Sequence, residues 1–371
     1  MQNAESKGIA SLSSNLDSNQ SQALRQLGIC NSCRYCEGYC ATFQALTRYR
    51  QFDQPTINHM ANLCHNCRGC YYACQYTAPH EFDLNIPALL ANIRADNWEQ
   101  HIKPLWLSRV MQRHVWPYIV LCLLFIVLFA GIFGLPWLSA KPFYASISHT
   151  LMVVLFTPLF LIPLFSLVAG IRRYWQSIGG NALSFNDIKV ALGSAARMKN
   201  LDGGQGQGCN YEAGERYSSW RRWAHQATMY GFLLCFASTS TATLYHYLFA
   251  LQAPYAFFSL PKLFGVSGGV LVSVGTALLF WLKLRADPEL GVKTATMAEY
   301  VFIALLFLVS TSGLLLYGFS GTVFAGFWLI IHLALVATFF LSIPYSKMVH
   351  GFFRMASLCR EAQLKRYTDR T

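Results

Sequence analysis

The chain has 371 residues, of which 54% are hydrophobic and 12% charged, with mean hydropathy +0.32 and formal net charge +12. That is too apolar for a soluble protein of this length. The positive excess comes without a basic run or an aromatic ladder for bases, which speaks against nucleic acid as a partner. Twelve cysteines would suit a disulfide framework in a small secreted protein, yet residues 1–20 are Ser/Asn/Gln-rich without an apolar core and show no secretory signal. Clustered thiols in a reducing compartment favour metal over disulfides.

Residues 1–22 read as a disordered lead. The segment 23–116 carries two copies of one spacing, Cys30-x2-Cys33-x2-Cys36-x3-Cys40 and Cys64-x2-Cys67-x2-Cys70-x3-Cys74, with a period of 34 residues. Neither copy holds a helical-repeat consensus, so the period marks a duplicated cluster-binding unit. Thiolates are soft ligands suited to iron in a tetrahedral sulfur field. Three cysteines at this spacing wrap one [4Fe–4S] cube, and in two-cluster ferredoxins the fourth ligand crosses to the other cube. The expected sets are Cys30, Cys33, Cys36 and Cys74 for one cluster, and Cys64, Cys67, Cys70 and Cys40 for the other. Ala41 and Gln75 stand where ferredoxins place a proline. Zinc is the rival metal, but its sites use two cysteine pairs rather than two runs of four. Cys122, Cys209, Cys235 and Cys359 are isolated; Cys122 and Cys235 fall in apolar stretches and read as core packing. Arg34 and Arg68, each directly after the second cysteine of its run, are candidates for tuning a cluster, meeting a partner, or plain solvation.

Residues 84–114 read as a helix and a basic amphipathic approach to a membrane, with Trp106, Arg109, Arg113, His114 and Trp116 suited to the interface. Six apolar stretches follow, at 117–138, 144–170, 225–250, 264–284, 297–319 and 322–346. Each is long enough to cross about 30 Å of hydrocarbon. The insertion 171–224 is polar, and its glycine run at 203–208 lacks the strand-to-helix context of a dinucleotide site, so it reads as a flexible loop. Gly268, Gly269, Gly313 and Gly318 read as close helix packing. The membrane domain is thus 117–350, and 351–371 is a basic tail. With the cysteine head inside, external segments hold only Lys141 and Lys262 of the 29 basic residues. This positive-inside asymmetry predicts a cytoplasmic head and cytoplasmic termini, and the expected location of the spans is a bacterial inner membrane.

Ionisable groups within spans mark function by default. His225 and His246 bracket the third span, and His332 and His350 bracket the sixth. Along a single helix these pairs stand about 31 Å and about 27 Å apart, too far to share one iron. The two spans run in opposite directions, which sets His225 level with His350 near the inner face and His246 level with His332 near the outer face. One or two bis-histidine b-haem sites result. His149, which opens the second span, is an alternative to His246. His59, His65, His80, His101 and His114 lie in the head and read as solvating or hydrogen-bonding residues. No paired carboxylate or nucleophile–base set stands out for transforming an organic substrate.

The run from Ala78 to Pro87, the run Arg221-Arg222-Trp223-Ala224-His225-Gln226 leading into Tyr230-Gly231-Phe232, and Ala253-Pro254-Tyr255 resemble the tricarballylate/citrate utilisation protein B family, over about residues 25–355. The paired cysteine motifs also look like heterodisulfide-reductase and glycerol-3-phosphate-dehydrogenase iron–sulfur subunits. The His332-x17-His350 spacing looks like the haem-bearing subunit of respiratory nitrate reductase, whose late helix supplies both histidines to haem. The resemblance implies a membrane partner that reoxidises the FAD of a tricarballylate dehydrogenase and passes electrons to quinone. The expected fold is all-α: a two-cluster ferredoxin-like head followed by a six-helix cytochrome b-type bundle. The expected role is that of an electron-transfer subunit. The alternatives are service to another flavin dehydrogenase or heterodisulfide-reductase-like complex, and a membrane-anchored redox sensor.

Overall fold

The computed structural model describes residues 19–133, 148–203, 206–210, 216–287, 290 and 293–368. The expectations for the lead at 1–18, for the span ends at 134–138 and 144–147, for Gly204, Gln205 and 211–215, and for 369–371 lie outside the described residues. Regular structure among the described residues is helical, with isolated bridge residues such as the antiparallel pair Cys209 and Ser218.

The head contains α1 (19–33), α2 (Ala41–Leu46), α3 (Gln54–Leu63), α4 (Gly69–Tyr72) and α5 (Ile86–His101). Side-chain caps set two of the starts. Asp53 accepts from the Thr56 amide at 3.0 Å ahead of α3, and Asn85 accepts from the Ala88 amide at 3.1 Å ahead of α5. A proline follows each cap, where a missing amide proton leaves no intrahelical bond unmade. Leu27, Leu46, Ile57, Met60, Leu63 and Leu90 close into one core, which continues into Leu358 and Cys359 from the far end of the chain.

Helix α6 (Leu105–Arg113) buries Met111 and exposes Leu105 and Trp106, as an interfacial helix should. Five stretches are long and apolar enough to cross a membrane. They are α7 (Trp116–Phe133), α8 (His149–Ser177), α11 (Leu260–Leu284), Met297–Gly318 within α12 (Lys293–Gly318), and Ala325–Tyr367, which opens with α13 (Ala325–Ser342). The remaining expected span, α10 (Trp220–Phe249), has the length at 30 residues but is less apolar. Its Thr239, Ser240, Thr241 and Thr243 return their hydroxyls to carbonyls four residues back at 3.3, 2.9, 2.8 and 2.9 Å. That polarity is therefore satisfied inside the helix. Helices α10 and α11 approach through Gly231 and Gly268: a Cβ on either would sit 2.8 Å from the other's carbonyl oxygen. Gly318, expected to pack closely, has open space where its Cβ would go.

Two segments expected to be irregular are ordered into helices. The polar insertion contains α9 (Phe185–Arg197), started by a reciprocal capping box between Ser184 and Asp187. The expected basic tail is α14 (Val349–Thr368), which follows a short turn over Ile343–Tyr345 and packs against α3 and α9. Its apolar Val349, Phe353 and Ala356 recur at helical spacing and are buried. Two of its basic residues are paired, Lys365 with Glu361 at 3.6 Å and Arg366 with Asp187 at 3.1 Å.

Candidate metal centres

The eight motif cysteines are free of disulfides and fall into two foursomes. Cys30 has Cys74, Cys36 and Cys33 as electrostatic neighbours, and Cys36 has Cys74, Cys33 and Cys40. Cys70 has Cys67, Cys64, Cys40 and Cys36 around it, and Cys40 lies beside Cys64. Cys74 thus lies among the first run and Cys40 beside both runs, with Cys36 and Cys70 bringing the two sets together. Burial and the neighbouring thiols push Cys30 and Cys36 up to about 12, and raise Cys40, Cys67 and Cys70 as well. Buried thiols that cannot ionise together form a donor set that fits a cationic iron centre. Amide protons of Asn66 and Tyr76 point at the sulfurs of Cys64 and Cys74, each at 3.4 Å. Among the described residues no three His, Cys, Asp or Glu side chains converge on one single-ion site. A cube asks for a wider set, because it binds each thiolate at a separate corner.

The duplication extends to the backbone. Arg34 and Arg68 occupy equivalent places and both adopt positive φ, 55° and 63°. Their side chains diverge: Arg68 is buried and donates to the Asp287 carbonyl at 3.0 Å, whereas Arg34 stays exposed with Cys33 and Tyr35.

At the inner level of the bundle, the rings of His225 and His350 lie 5.8 Å apart, centroid to centroid, at 85° to each other. Two metal–imidazole bonds of about 2 Å plus the ring radii require about 6 Å, so these two residues would be spaced to hold one iron between them. His350 Nδ1 is bonded to the Lys347 carbonyl, which can only accept, so the proton sits on Nδ1 and Nε2 keeps its lone pair. His225 Nδ1 is buried with no hydrogen-bond partner, a demand that a bound group or its neighbours would meet.

The outer level differs from expectation. Phe232 of α10 meets Phe339 of α13 at 5.9 Å, which fixes the register of these antiparallel helices. His332 lies seven residues outward from Phe339, level with Thr239, so His246 stands a further seven residues out, about 10 Å beyond. His246 instead stacks on His149 at 3.7 Å and 14°, while His332 is bonded through Nδ1 to Ser312 at 3.0 Å and covers Gly313. The expected pairing of His246 with His332 is therefore not formed, because contact register rather than span ends sets the level.

The family described as Citrate utilization protein B matches residues 110–371, and its Fer4-like domain matches residues 23–100. The Citrate utilization protein B of Escherichia coli is 40% identical over 354 residues, covering 94% of this chain and 93% of that protein. This chain belongs to the citrate utilization protein B family. No solved structure matches it. Membership makes the head of this citrate utilization protein B relative a Fer4-like domain and gives the chain an iron–sulfur electron-transfer role.

Between the second foursome and the histidine pair lies a belt of residues that sequence reasoning missed. Arg94 and Arg354 both donate to the Cys64 carbonyl, at 2.6 and 2.8 Å, and Arg221 donates to the carbonyls of Asn66 and His65 at 2.7 and 3.2 Å. Helices α5, α14 and α10 thus each extend one guanidinium to the same loop. His65 sits within it, held to the Leu63 carbonyl at 2.9 Å and beside His225. Burial, then Arg354, holds the His65 imidazole well below its ordinary value. Cys209, read as isolated, is buried beside Cys67, and the Asn210 amide donates to the Cys67 carbonyl at 3.0 Å. Neither Arg94 nor Arg354 joins an ion pair among the described residues, and Arg354 has the Cys64 thiol as an electrostatic neighbour. Arg354→Gln removes a unit charge worth on the order of 2 kcal/mol at an effective dielectric of about 20. The expected result is a fall of about 90 mV in the one-electron potential of the second cluster, with Arg354→Lys retaining most of it, as read by an EPR-monitored redox titration.

Proposed function

We propose that this protein is a membrane electron conduit that reoxidises the FAD of a cytoplasmic tricarballylate or citrate-like tricarboxylate dehydrogenase and delivers the electrons to quinone. When bound, two [4Fe–4S] clusters and a b-type haem supply the one-electron chemistry that splits a two-electron donor. The chain supplies their order and spacing. Cys33 is exposed beside Arg34 and Tyr35, which suits the first foursome to the side where a flavoprotein docks. The second foursome lies deeper, and the observation that carries the reading is the Cys64–Asn66 loop. Its first residue belongs to the foursome, and its second lies beside His225, the partner of His350. The positive-inside asymmetry supports a cytoplasmic head on a bacterial inner membrane, with α10 as the sixth span.

The test is anaerobic membranes containing the full-length protein, a purified tricarballylate-oxidising flavoprotein and its substrate. The expected result is substrate-dependent reduction of a b-type haem band, reversed by menadione. Membranes that show no b-type haem would overturn the conduit reading; haem that is reduced only by a different flavin dehydrogenase would replace the donor.

A further inference from the structure

Helix α9 leaves an apolar stripe exposed. Phe185 is 82% exposed, Leu192 53% and Ile188 37%. At about 100° per residue, these three and Ala196 fall within an arc of about 80°. The opposite face is packed: Asp187 is buried on Arg366, and Ala191 is buried in the core of the head. Val190 is exposed too, but about 140° round from Phe185, on the side of Asn186 and Arg197. An amphipathic helix that turns its apolar side outward needs a partner there. We propose that this partner is the lipid of the cytoplasmic leaflet, on which α9 rests as an interfacial helix; the proposal rests on the reading of α10 as a membrane span.

Position carries this. The last turn of α9 is fastened to α10 by three side chains. The Tyr230 hydroxyl donates to the Ala196 carbonyl at 2.8 Å, and Arg222 and Gln226 donate to the Arg197 carbonyl at 2.9 and 3.4 Å. Trp223, Gln226, Tyr230 and Leu233 follow one another at three- and four-residue steps and so share one face of α10. Trp223, Tyr230 and Leu233 are exposed on that face, which a spanning α10 turns to the hydrocarbon. The end of α9 therefore lies on the bilayer side of α10. From there the stripe runs on through Leu192 and Ile188 to Phe185, over about 16 Å of helix. Trp220 and Trp223 stand exposed beside the junction, where interfacial aromatics belong.

Charge points the same way. The one acidic residue of α9, Asp187, is buried against Arg366, whereas its basic residues Lys189 and Arg197 are exposed. A helix with an apolar side and free basic charge suits a leaflet with anionic headgroups. The same helix leads straight into the segment that closes on the second foursome. Met198 and Leu201 pack with Cys209 against Cys67, and Asn200 Oδ1 accepts from the Ala41 amide, next to Cys40, at 3.2 Å. Lipid contact at α9 thus braces that cover from the membrane side.

The experiment puts the photo-crosslinker p-benzoylphenylalanine, one site at a time, in place of Phe185, Ile188, Leu192, Val190 or Leu233. The full-length protein is reconstituted in vesicles of phosphatidylethanolamine and phosphatidylglycerol and irradiated, and intact-mass spectrometry counts phospholipid adducts. The probe at Leu192 is expected to give about tenfold more adduct than the probe at Val190, with the yield falling from Leu192 through Ile188 to Phe185. Unchanged iron content shows that each probe leaves the head intact. Equal yields at Leu192 and Val190, with lipid taken at Leu233, would overturn the proposal and leave α10 in the membrane. Adducts at Leu192 that join two copies of the chain, or the chain to an added flavoprotein, would overturn it as well. No lipid adduct at Leu233 would remove the span reading and the proposal together.

Discussion

Replacing His350 or His225 by alanine abolishes the b-type haem band, leaving less than about a tenth of the wild-type pyridine haemochrome signal; that is the expected result for an axial pair. The geometry behind it is a centroid separation of 5.8 Å between two rings held on different helices. His350 is pre-oriented by the Lys347 carbonyl, and a ligand fixed in one tautomer is the condition for tight metal binding. The other imidazole beside His225 is His65, whose Nδ1 is likewise held by a carbonyl, that of Leu63. The same experiment separates one haem from two. His332→Ala and His246→Ala are expected to leave the band intact, because the Phe232–Phe339 contact sets these residues about two turns out of level. Loss of half the haem in His332→Ala would restore an outer site and show that it recruits a ligand other than His246.

The second large effect concerns iron. Cys74→Ser is expected to cost the cluster of the first run, and Cys40→Ser that of the second, each lowering bound iron from about eight to about four per protein. The crossed neighbourhoods of Cys30 with Cys74 and of Cys40 with Cys64 are the basis. Double variants sharpen the test, since residues that act as one unit are non-additive and residues in separate units add. Cys33→Ser with Cys74→Ser should lose no more iron than either alone, whereas Cys33→Ser with Cys40→Ser should lose nearly all of it. Iron quantification with EPR of the dithionite-reduced protein decides. A Cys33/Cys74 double variant empty of iron would show that each run keeps its own fourth cysteine.

The cysteine spacing and the hydrophobic stretches were legible in the sequence because each rests on a local period. The inner level of His225 and His350 was legible too, since it needs only the direction of two helices. The outer level was not. Register between α10 and α13 is set by a pair of aromatic rings more than one hundred positions apart in the chain, and no span boundary encodes it. The arginine belt escaped for a related reason. Arg221 and Arg354 bind backbone carbonyls 155 and 290 positions away, and a carbonyl carries no side-chain signature. Helix α14 was masked by its charges: the Lys365–Glu361 pair is local, but Asp187, the partner of Arg366, becomes visible only once the helix lies on α9. Lys283 and Lys347 likewise reach Glu299 from separate elements.

Helix α14 also has a mechanical meaning. His350 is its second residue, and its later turns carry Leu358 and Cys359 into the hydrophobic core of the head. The residue assigned to hold haem and the floor beneath the cysteine cradle are therefore parts of one stiff rod. A head fixed in this way cannot swing between donor and acceptor as a tethered shuttle does. Under the proposed conduit, turnover then has no domain excursion to wait for, and the only large diffusive events left to it are the arrival and departure of the proposed donor and acceptor.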